Sequence, residues 1–264
     1  MHVTCENYDM VGQMVTALKK PRTPRSSATE RVYQELKRQI LTFQLLPGKV
    51  LEEHQVLQKL GFSRTPFREA CMRLKEEGWL LSFSRRGYII SPITFEDIAG
   101  VYELRIILES GCAQIAAMRA TEVEIERLEE MVNFEERYRT VEGIPPDYAN
   151  KNLEFHLQIA EISRNTRMVN FVRSLLEHVL RFDYMLKRYA PSTSRSWTGH
   201  AAIVAAIKNH DSALAGKRMQ EHLKQAHLVV LSVMTTPPPD IDVLPVNESA
   251  ARWRLEGPDL PSDA

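Results

Sequence analysis

The sequence predicts a mainly α-helical protein with two domains: an N-terminal winged helix-turn-helix and a C-terminal antiparallel helical bundle. Its 264 residues suffice for about two domains. Apolar residues recur at helical spacing along most of the chain. The spacing changes to that of short strands after three helical segments, near residues 80–91, and returns to a helical period beyond them.

The N-terminal domain is predicted over residues 29–93. Its first helix begins at Thr29 and has an apolar face made of Val32, Leu36, Ile40 and Phe43. A second helix covers 53–60 and stops at Gly61. A third reaches about Glu77, and either Ser63 or Thr65 is placed to cap it.

A hairpin completes this domain. Residues 80–83 and 88–91 are predicted to be its two strands, with residues 84–87 at the tip. Three helices followed by a small β-hairpin are the arrangement of a winged helix.

Residues 94–235 are predicted to be entirely helical. Thr94 and Thr121 each begin a capping-box pattern that marks a helix start. Short connections between the helices favour an antiparallel bundle. The predicted helices cover 95–119, 122–140, 147–163, 167–189, 195–209 and 211–234. The remaining segments, 1–28 and the Pro-containing 236–264, are predicted to be tails.

Composition and charge narrow the class of protein. Three scattered cysteines do not form a disulfide framework and favour a reducing cytoplasm. No apolar run reaches the roughly 20 residues that span a bilayer, so no membrane association is expected. Net charge is zero, but residues 1–93 hold 15 basic and 9 acidic residues, leaving 19 basic and 25 acidic beyond them. The basic N-terminal part is the one expected to meet a polyanion.

The third helix carries arginines where a DNA-reading helix needs them. Arg64 precedes the helix, Arg68 follows the core residue Phe67, and Arg73 lies further along. Arginine can bind guanine through two hydrogen bonds, and Arg85 and Arg86 at the hairpin tip can reach phosphates or the minor groove. Spacing alone leaves open that these are only solvated charges on an amphipathic helix.

Four motifs give this part a resemblance to a known family. LPGKVL at 46–51, GFSRTPFREA at 61–70, LKEEGWL at 74–80 and RG at 86–87 resemble, in unbroken order, the GntR-type winged helix. The resemblance implies binding to double-stranded DNA. It implies that Arg64 and Arg68 contact the DNA, with Ser63 and Thr65 beside them, and that Gly87 lies at the wing tip.

Arg105 carries the first indication of a ligand site in the bundle. It shares an apolar face with Val101, Leu108 and Cys112. A guanidinium facing a core needs an anion. Two partners stay open: Glu109, one turn further along the helix, or a carboxylate ligand bound through two hydrogen bonds.

Histidines on apolar faces indicate a second possibility. His156, four residues after Asn152, and His200 and His222 come from three predicted helices and suit a divalent metal. The alternative is three separate core histidines, and His227 also has apolar neighbours, so spacing does not select the set.

The bundle also resembles a known domain. ELR at 103–105, NLEFH at 152–156, SRN at 163–165, GH at 199–200 and MQEHL at 219–223 are similar to the FCD domain of FadR-type GntR regulators. The resemblance implies a metal, zinc or nickel, held by Asn152, His156, His200 and His222 beneath a pocket for a small carboxylate. Asn152 stands where Asp is commoner, which leaves the site one charge more positive.

The sequence thus predicts a cytoplasmic homodimeric repressor that binds an inverted repeat and responds to a small organic acid at Arg105 and the metal. It is not expected to be an enzyme. Two alternatives remain: a metal-dependent enzyme on a helical bundle fused to a DNA-binding head, and a dimeric DNA-binding protein without a ligand. Turnover lost on chelation would favour the first, and stability unaffected by metals and metabolites the second.

Overall fold

The computed structural model describes residues 27–83, 87–139, 148–189 and 199–234. These residues form two compact units, one ending at Asp97 and the other beginning at Ile98. The predicted tails lie outside the described residues, except for residues 27 and 28, and the hairpin tip with Arg85 and Arg86 lies outside as well. The domain limits 29–93 and 94–235 stay predictions.

The first unit has three helices and a small sheet. Antiparallel pairing places the strands in the order β1-β3-β2, with Val50 opposite Ile89 and Leu81 opposite Ile89 on the other side. This is the predicted winged helix with one more strand, β1, added to the hairpin. The elements are α1 (Ala28–Leu41), β1 (Val50–Leu51), α2 (Glu53–Leu60), α3 (Arg64–Glu76), β2 (Leu80–Phe83) and β3 (Gly87–Ile90).

A hydrogen-bonded network ties α3 to α1. The carboxylate of Glu77, just after α3, accepts hydrogen bonds from the Tyr33 hydroxyl at 2.6 Å and the Lys37 ammonium at 2.9 Å. Lys37 is buried and also lies 5.4 Å from the ring centroid of the buried Trp79. The same two helices pack together, and Leu36 and Ile40 on α1 and Phe67, Ala70 and Leu74 on α3 are buried. Breaking the Glu77 pairs would leave Lys37 as a buried charge without its counter-ion.

The second unit is helical throughout its described residues. Helix α6 packs against α7, and α8 packs against α9. Thr121 and Glu124 form the predicted capping box: the Thr121 amide donates to Glu124 Oε2 at 3.0 Å, and the Glu124 amide donates to the Thr121 hydroxyl at 3.4 Å. The helices are α4 (Phe95–Arg119), α5 (Glu122–Arg139), α6 (Tyr148–Ile162), α7 (Thr166–Tyr189), α8 (His200–Lys208) and α9 (Ser212–Met234). None of them, over the residues described, is both long and apolar enough to cross a bilayer.

The structure differs from the sequence prediction in three local features. β1 was not predicted. Helix α8 begins at His200, whereas the sequence predicts that it begins at residue 195. Residues 190–198 lie outside the described residues. Ser63 occupies the N-cap position of α3 with an extended backbone, but its side chain makes no capping hydrogen bond.

Candidate DNA-binding helix and candidate metal centre

The outer face of α3 presents the polar residues predicted to meet DNA. Ser63, Arg64, Thr65 and Arg68 are all exposed. The side chain of Arg64 is 78% exposed, and its Nε lies 3.4 Å from a carboxylate oxygen of Glu53. Such an exposed pair contributes little to stability, so exchanging Glu53 for a phosphate costs little. The helix N-terminus adds unpaired backbone amides that favour an anion.

Arg73, predicted to contact DNA, has three contacts within the first unit. Its guanidinium lies 3.6 Å from the centroid of the Tyr33 ring. It also donates to Glu30 at 2.9 Å and to Glu77 at 3.1 Å. These contacts with two carboxylates and an aromatic face hold α3 against α1, and the contact of Arg73 with DNA stays a prediction.

Gly87 lies at the start of β3, next to the wing tip. Its φ of +121° is one that side-chain-bearing residues rarely adopt, which explains glycine at this position. Gly87 is exposed. The predicted DNA contacts of Arg85 and Arg86 fall outside the described residues.

Three imidazoles converge in the core of the second unit. His156 on α6, His200 on α8 and His222 on α9 are all buried. The Nε2 atom of His222 lies 3.1 Å from that of His200 and 3.3 Å from that of His156. Nitrogens that bind one ion at about 2.1 Å are about 3.0 Å apart at a right angle and about 3.4 Å apart at a tetrahedral angle. The spacing of the three Nε2 atoms therefore fits a shared metal ion.

Packing fixes the rings in this arrangement. Phe155 stacks on His200 with ring centroids 4.1 Å apart. Gly199 has a φ of +117°, and a Cβ placed there would lie 3.4 Å from Nδ1 of His222, so glycine suits this close approach. Burial and the neighbouring His156 hold the pKa of His200 well below its ordinary value. The His200 ring is therefore neutral at pH 7 and can offer a lone pair.

Glu109 connects the histidines to Arg105. One carboxylate oxygen accepts a hydrogen bond from Nε of Arg105 at 2.6 Å, and the other lies 2.6 Å from Nδ1 of His156. Burial acts to raise the pKa of Glu109, but the charges of Arg105 and His156 hold it at about 2. A carboxylate behind a histidine fixes the ring tautomer and leaves Nε2 as the metal-binding atom.

Asn152 supplies the fourth donor of the predicted set. It lies one turn before His156 on α6 and is buried. Among the described residues, neither its carbonyl oxygen nor its amide nitrogen has a hydrogen-bond partner. An unpaired buried amide is costly unless something satisfies it. The three histidines therefore fit a divalent metal, and the buried amide oxygen of Asn152 is a candidate fourth ligand.

Of the two partners that the sequence left open for Arg105, the structure shows Glu109. Its Nε is paired with Glu109, while the terminal nitrogens Nη1 and Nη2 are buried without a partner in the part of the chain described here. These two donors have the geometry that binds a carboxylate through two hydrogen bonds. Two further buried groups nearby, the Tyr102 hydroxyl and Oδ2 of Asp183, likewise make no well-formed hydrogen bond among the described residues. Sequence reasoning singled out neither.

A winged helix joined to a helical domain is the architecture of a DNA-binding transcription regulator. Comparison with known families agrees. Residues 28–90 match the model of bacterial regulatory proteins of the gntR family, and residues 100–225 match the FCD domain. The chain belongs to the gntR family of DNA-binding transcription regulators and carries an FCD domain.

Individual relatives carry the same assignment. The Nta operon transcriptional regulator of Aminobacter aminovorans is 25% identical over 197 residues, covering 74% of this chain and 92% of its own. The HTH-type transcriptional regulator YdhC of Bacillus subtilis is 32% identical over 147 residues, 56% of this chain and 64% of its own. These relatives are regulators and not enzymes. The E. coli McbR/YncC structure shares the fold, with a TM-score of 0.65, 22% identity and coverage of 78% of this chain and 98% of its own.

Proposed function

We propose that this chain is a repressor that leaves its DNA operator when a small organic acid binds beside a divalent metal in the helical domain. The observation that carries the proposal is the combination of two features in one core. Three Nε2 atoms converge at 3.1 and 3.3 Å, and Glu109 links them to a guanidinium whose two terminal nitrogens have no partner in the described residues.

The ligand side of the proposal follows from the donors. Imidazole nitrogens with an amide oxygen suit zinc or nickel, and an ion held by His156, His200, His222 and Asn152 would supply open coordination positions for a carboxylate. Arg105 binds and orients that carboxylate through Nη1 and Nη2. Glu109 keeps Arg105 ionised and holds its Nε, so the guanidinium faces the ligand without rearranging.

The DNA side rests on Arg64 and Arg68. Both lie on the exposed face of α3, beside Ser63 and Thr65, while Phe67 and Ala70 anchor the other face. We propose that this face enters the major groove of double-stranded DNA and that Arg64 and Arg68 read base edges. We propose that Arg85 and Arg86, predicted to lie at the wing tip beside Gly87, contact the DNA backbone or the minor groove.

A homodimer completes the proposal, because an inverted-repeat operator requires two heads. Leu104, Ile107 and Met118 lie on one side of α4 and are 52%, 70% and 64% exposed. Large apolar side chains in a row on a helix surface favour a covered interface. Ligand binding then shifts the population of dimers toward an arrangement with lower affinity for the operator, in the cytoplasm of the bacterium.

Retardation of DNA fragments flanking the gene by the full-length chain tests this function. We expect zinc- or nickel-loaded protein to bind a fragment specifically and an organic acid to weaken that binding. Arg105→Ala should abolish the response to the acid and leave the operator affinity of the ligand-free protein intact. Operator binding that no metal, chelator or acid alters would favour a ligand-independent regulator and overturn the proposal.

A further inference from the structure

We infer that the organic acid recognised by the helical domain is a hydroxy acid, whose hydroxyl group binds Asp183 and Tyr102 while its carboxylate binds Arg105. This inference rests on the proposed function and narrows its ligand to one chemical class. It derives from two buried polar side chains that the predicted metal and carboxylate contacts leave unexplained.

Tyr102 lies directly beside the proposed carboxylate site. It is one turn before Arg105 on α4, and the guanidinium carbon of Arg105 lies 5.2 Å from the centroid of its ring. On another side, the ring stacks on His227 at 4.9 Å and with an angle of 7° between the planes. The ring is fully buried and held on two sides, and its hydroxyl, which lies within reach of Arg105, makes no well-formed hydrogen bond among the described residues.

Asp183 brings an acceptor from a different helix, α7. Its side chain is 4% exposed, and Oδ2 has no hydrogen-bond partner in the part of the chain that the structure describes. The charges that act on it are those of Arg105 and of Lys187, one turn further along α7. An unpaired buried carboxylate oxygen carries a large desolvation cost, which a hydrogen-bond donor on a bound molecule would offset.

The hydrogen-bonding chemistry of Asp183 and Tyr102 favours a hydroxyl as the second functional group of the ligand, besides its carboxylate. A hydroxyl donates to Asp183 in both protonation states of the carboxyl and can also exchange a hydrogen bond with Tyr102. A second carboxylate would find an acceptor at Asp183 unless that group were protonated. An ammonium would also satisfy Asp183 but would add a positive charge near Arg105 and Lys187, and the alanine and aspartate ligands in the test below measure its binding. An alkyl chain would leave both polar groups unsatisfied.

Three matched ligand series test the inference on the full-length protein, as isolated and after zinc loading. Each series changes one substituent class: propionate, lactate and alanine; succinate, malate and aspartate; hexanoate and gluconate. Calorimetry and thermal shift measure binding. Above about pH 8 Asp183 is ionised, because burial raises its pKa only to about 7. At that pH we expect a hydroxy acid to bind at least about tenfold more tightly than its counterpart without the hydroxyl, since a hydrogen bond to a charged group is worth that factor or more.

Variants of Asp183 separate its role from chelation of the metal by the hydroxyl. Asp183→Ala should remove the preference for the hydroxyl while retaining binding of the plain acid. Asp183→Asn, which keeps an acceptor oxygen and the shape of the side chain, should retain part of the preference and guards against a folding defect. Glu126→Gln, an exposed change on α5, is the matched control and should behave like wild type.

The outcomes are distinct. A hydroxyl preference that disappears in Asp183→Ala supports the inference. Equal binding of plain and hydroxy acids, tighter binding of the amino acid, or a preference that survives in Asp183→Ala overturns the inference and leaves the proposed organic-acid response standing. Absence of binding by every acid in all three series, with and without zinc, overturns both.

Discussion

Glu109→Gln should damage both stability and metal binding, because one buried carboxylate serves Arg105 and His156 together. The Arg105 and Glu109 side chains are each 1% exposed, and their Nε–O distance is 2.6 Å. Breaking a buried pair costs roughly 3–5 kcal/mol, because it leaves an uncompensated charge. Glutamine keeps one acceptor oxygen for Arg105, so we expect a loss of about 3 kcal/mol, the lower end of that range.

The same substitution removes the carboxylate behind His156. Loss of such a partner lowers metal affinity by about 10- to 100-fold. Urea denaturation of chelator-treated protein measures the stability change without the contribution of metal, and competition with a chromogenic chelator measures the affinity for zinc or nickel. Glu103→Gln, an exposed change on the same helix, is the control for both measurements.

A double variant sharpens the interpretation. Arg105→Met combined with Glu109→Gln removes the buried cation as well, so it should be less destabilised than the sum of the two single variants. An unfolding midpoint and a metal affinity for Glu109→Gln equal to those of wild type would refute the assignment of Glu109 as the shared partner of Arg105 and His156.

The remaining predictions concern the DNA surface, the metal and one buried acid. Arg64→Ala and Arg68→Ala should each weaken operator binding by about 1–3 kcal/mol in titrations at fixed salt, and unchanged affinities would remove α3 as the reading helix. His156→Ala should yield purified protein with far less bound zinc or nickel than wild type by elemental analysis; wild type prepared without chelator and lacking metal would contradict the site. Burial raises the pKa of Asp183 to about 7, so the folded protein holds a proton that the unfolded chain releases. The stability of chelator-treated wild type relative to Asp183→Asn should therefore fall as pH rises from about 4 to about 7, by at most about 1.4 kcal/mol per pH unit, and parallel pH profiles would contradict this.

The sequence predicted the helices well because capping residues and glycines close to each helix end mark where the helix begins or stops. The capping box at Thr121 and the positive-φ Gly61 after α2 mark boundaries that the structure confirms. The strand β1 escaped prediction because its two residues, Val50 and Leu51, are too few to show alternation. What makes them a strand is pairing with Tyr88 and Ile89, which local sequence does not reveal.

The candidate site was predictable only in part, for the same reason. The spacing of apolar residues made His227 as good a candidate metal ligand as His222. The two histidines differ in the side chains that neighbouring helices place beside them. His222 meets His156 and His200, whereas His227 stacks on Tyr102. The ion pairs of Arg73 with Glu30 and Glu77 were not predicted, because they depend on how α3 packs on α1. Asp183 gave no sequence signal, because its unpaired state depends on three-dimensional neighbours.

The bonds of Glu77 to Tyr33 and Lys37 have a mechanical consequence for regulation. They join the C-terminal end of α3 to α1, next to the indole of Trp79. Moving α3 alone would therefore separate Glu77 from Lys37 and leave the buried lysine without its counter-ion. This network favours movement of the winged helix as one rigid body. In the proposed dimer, ligand binding would then change the separation and tilt of the two winged helices and leave the internal shape of each unchanged.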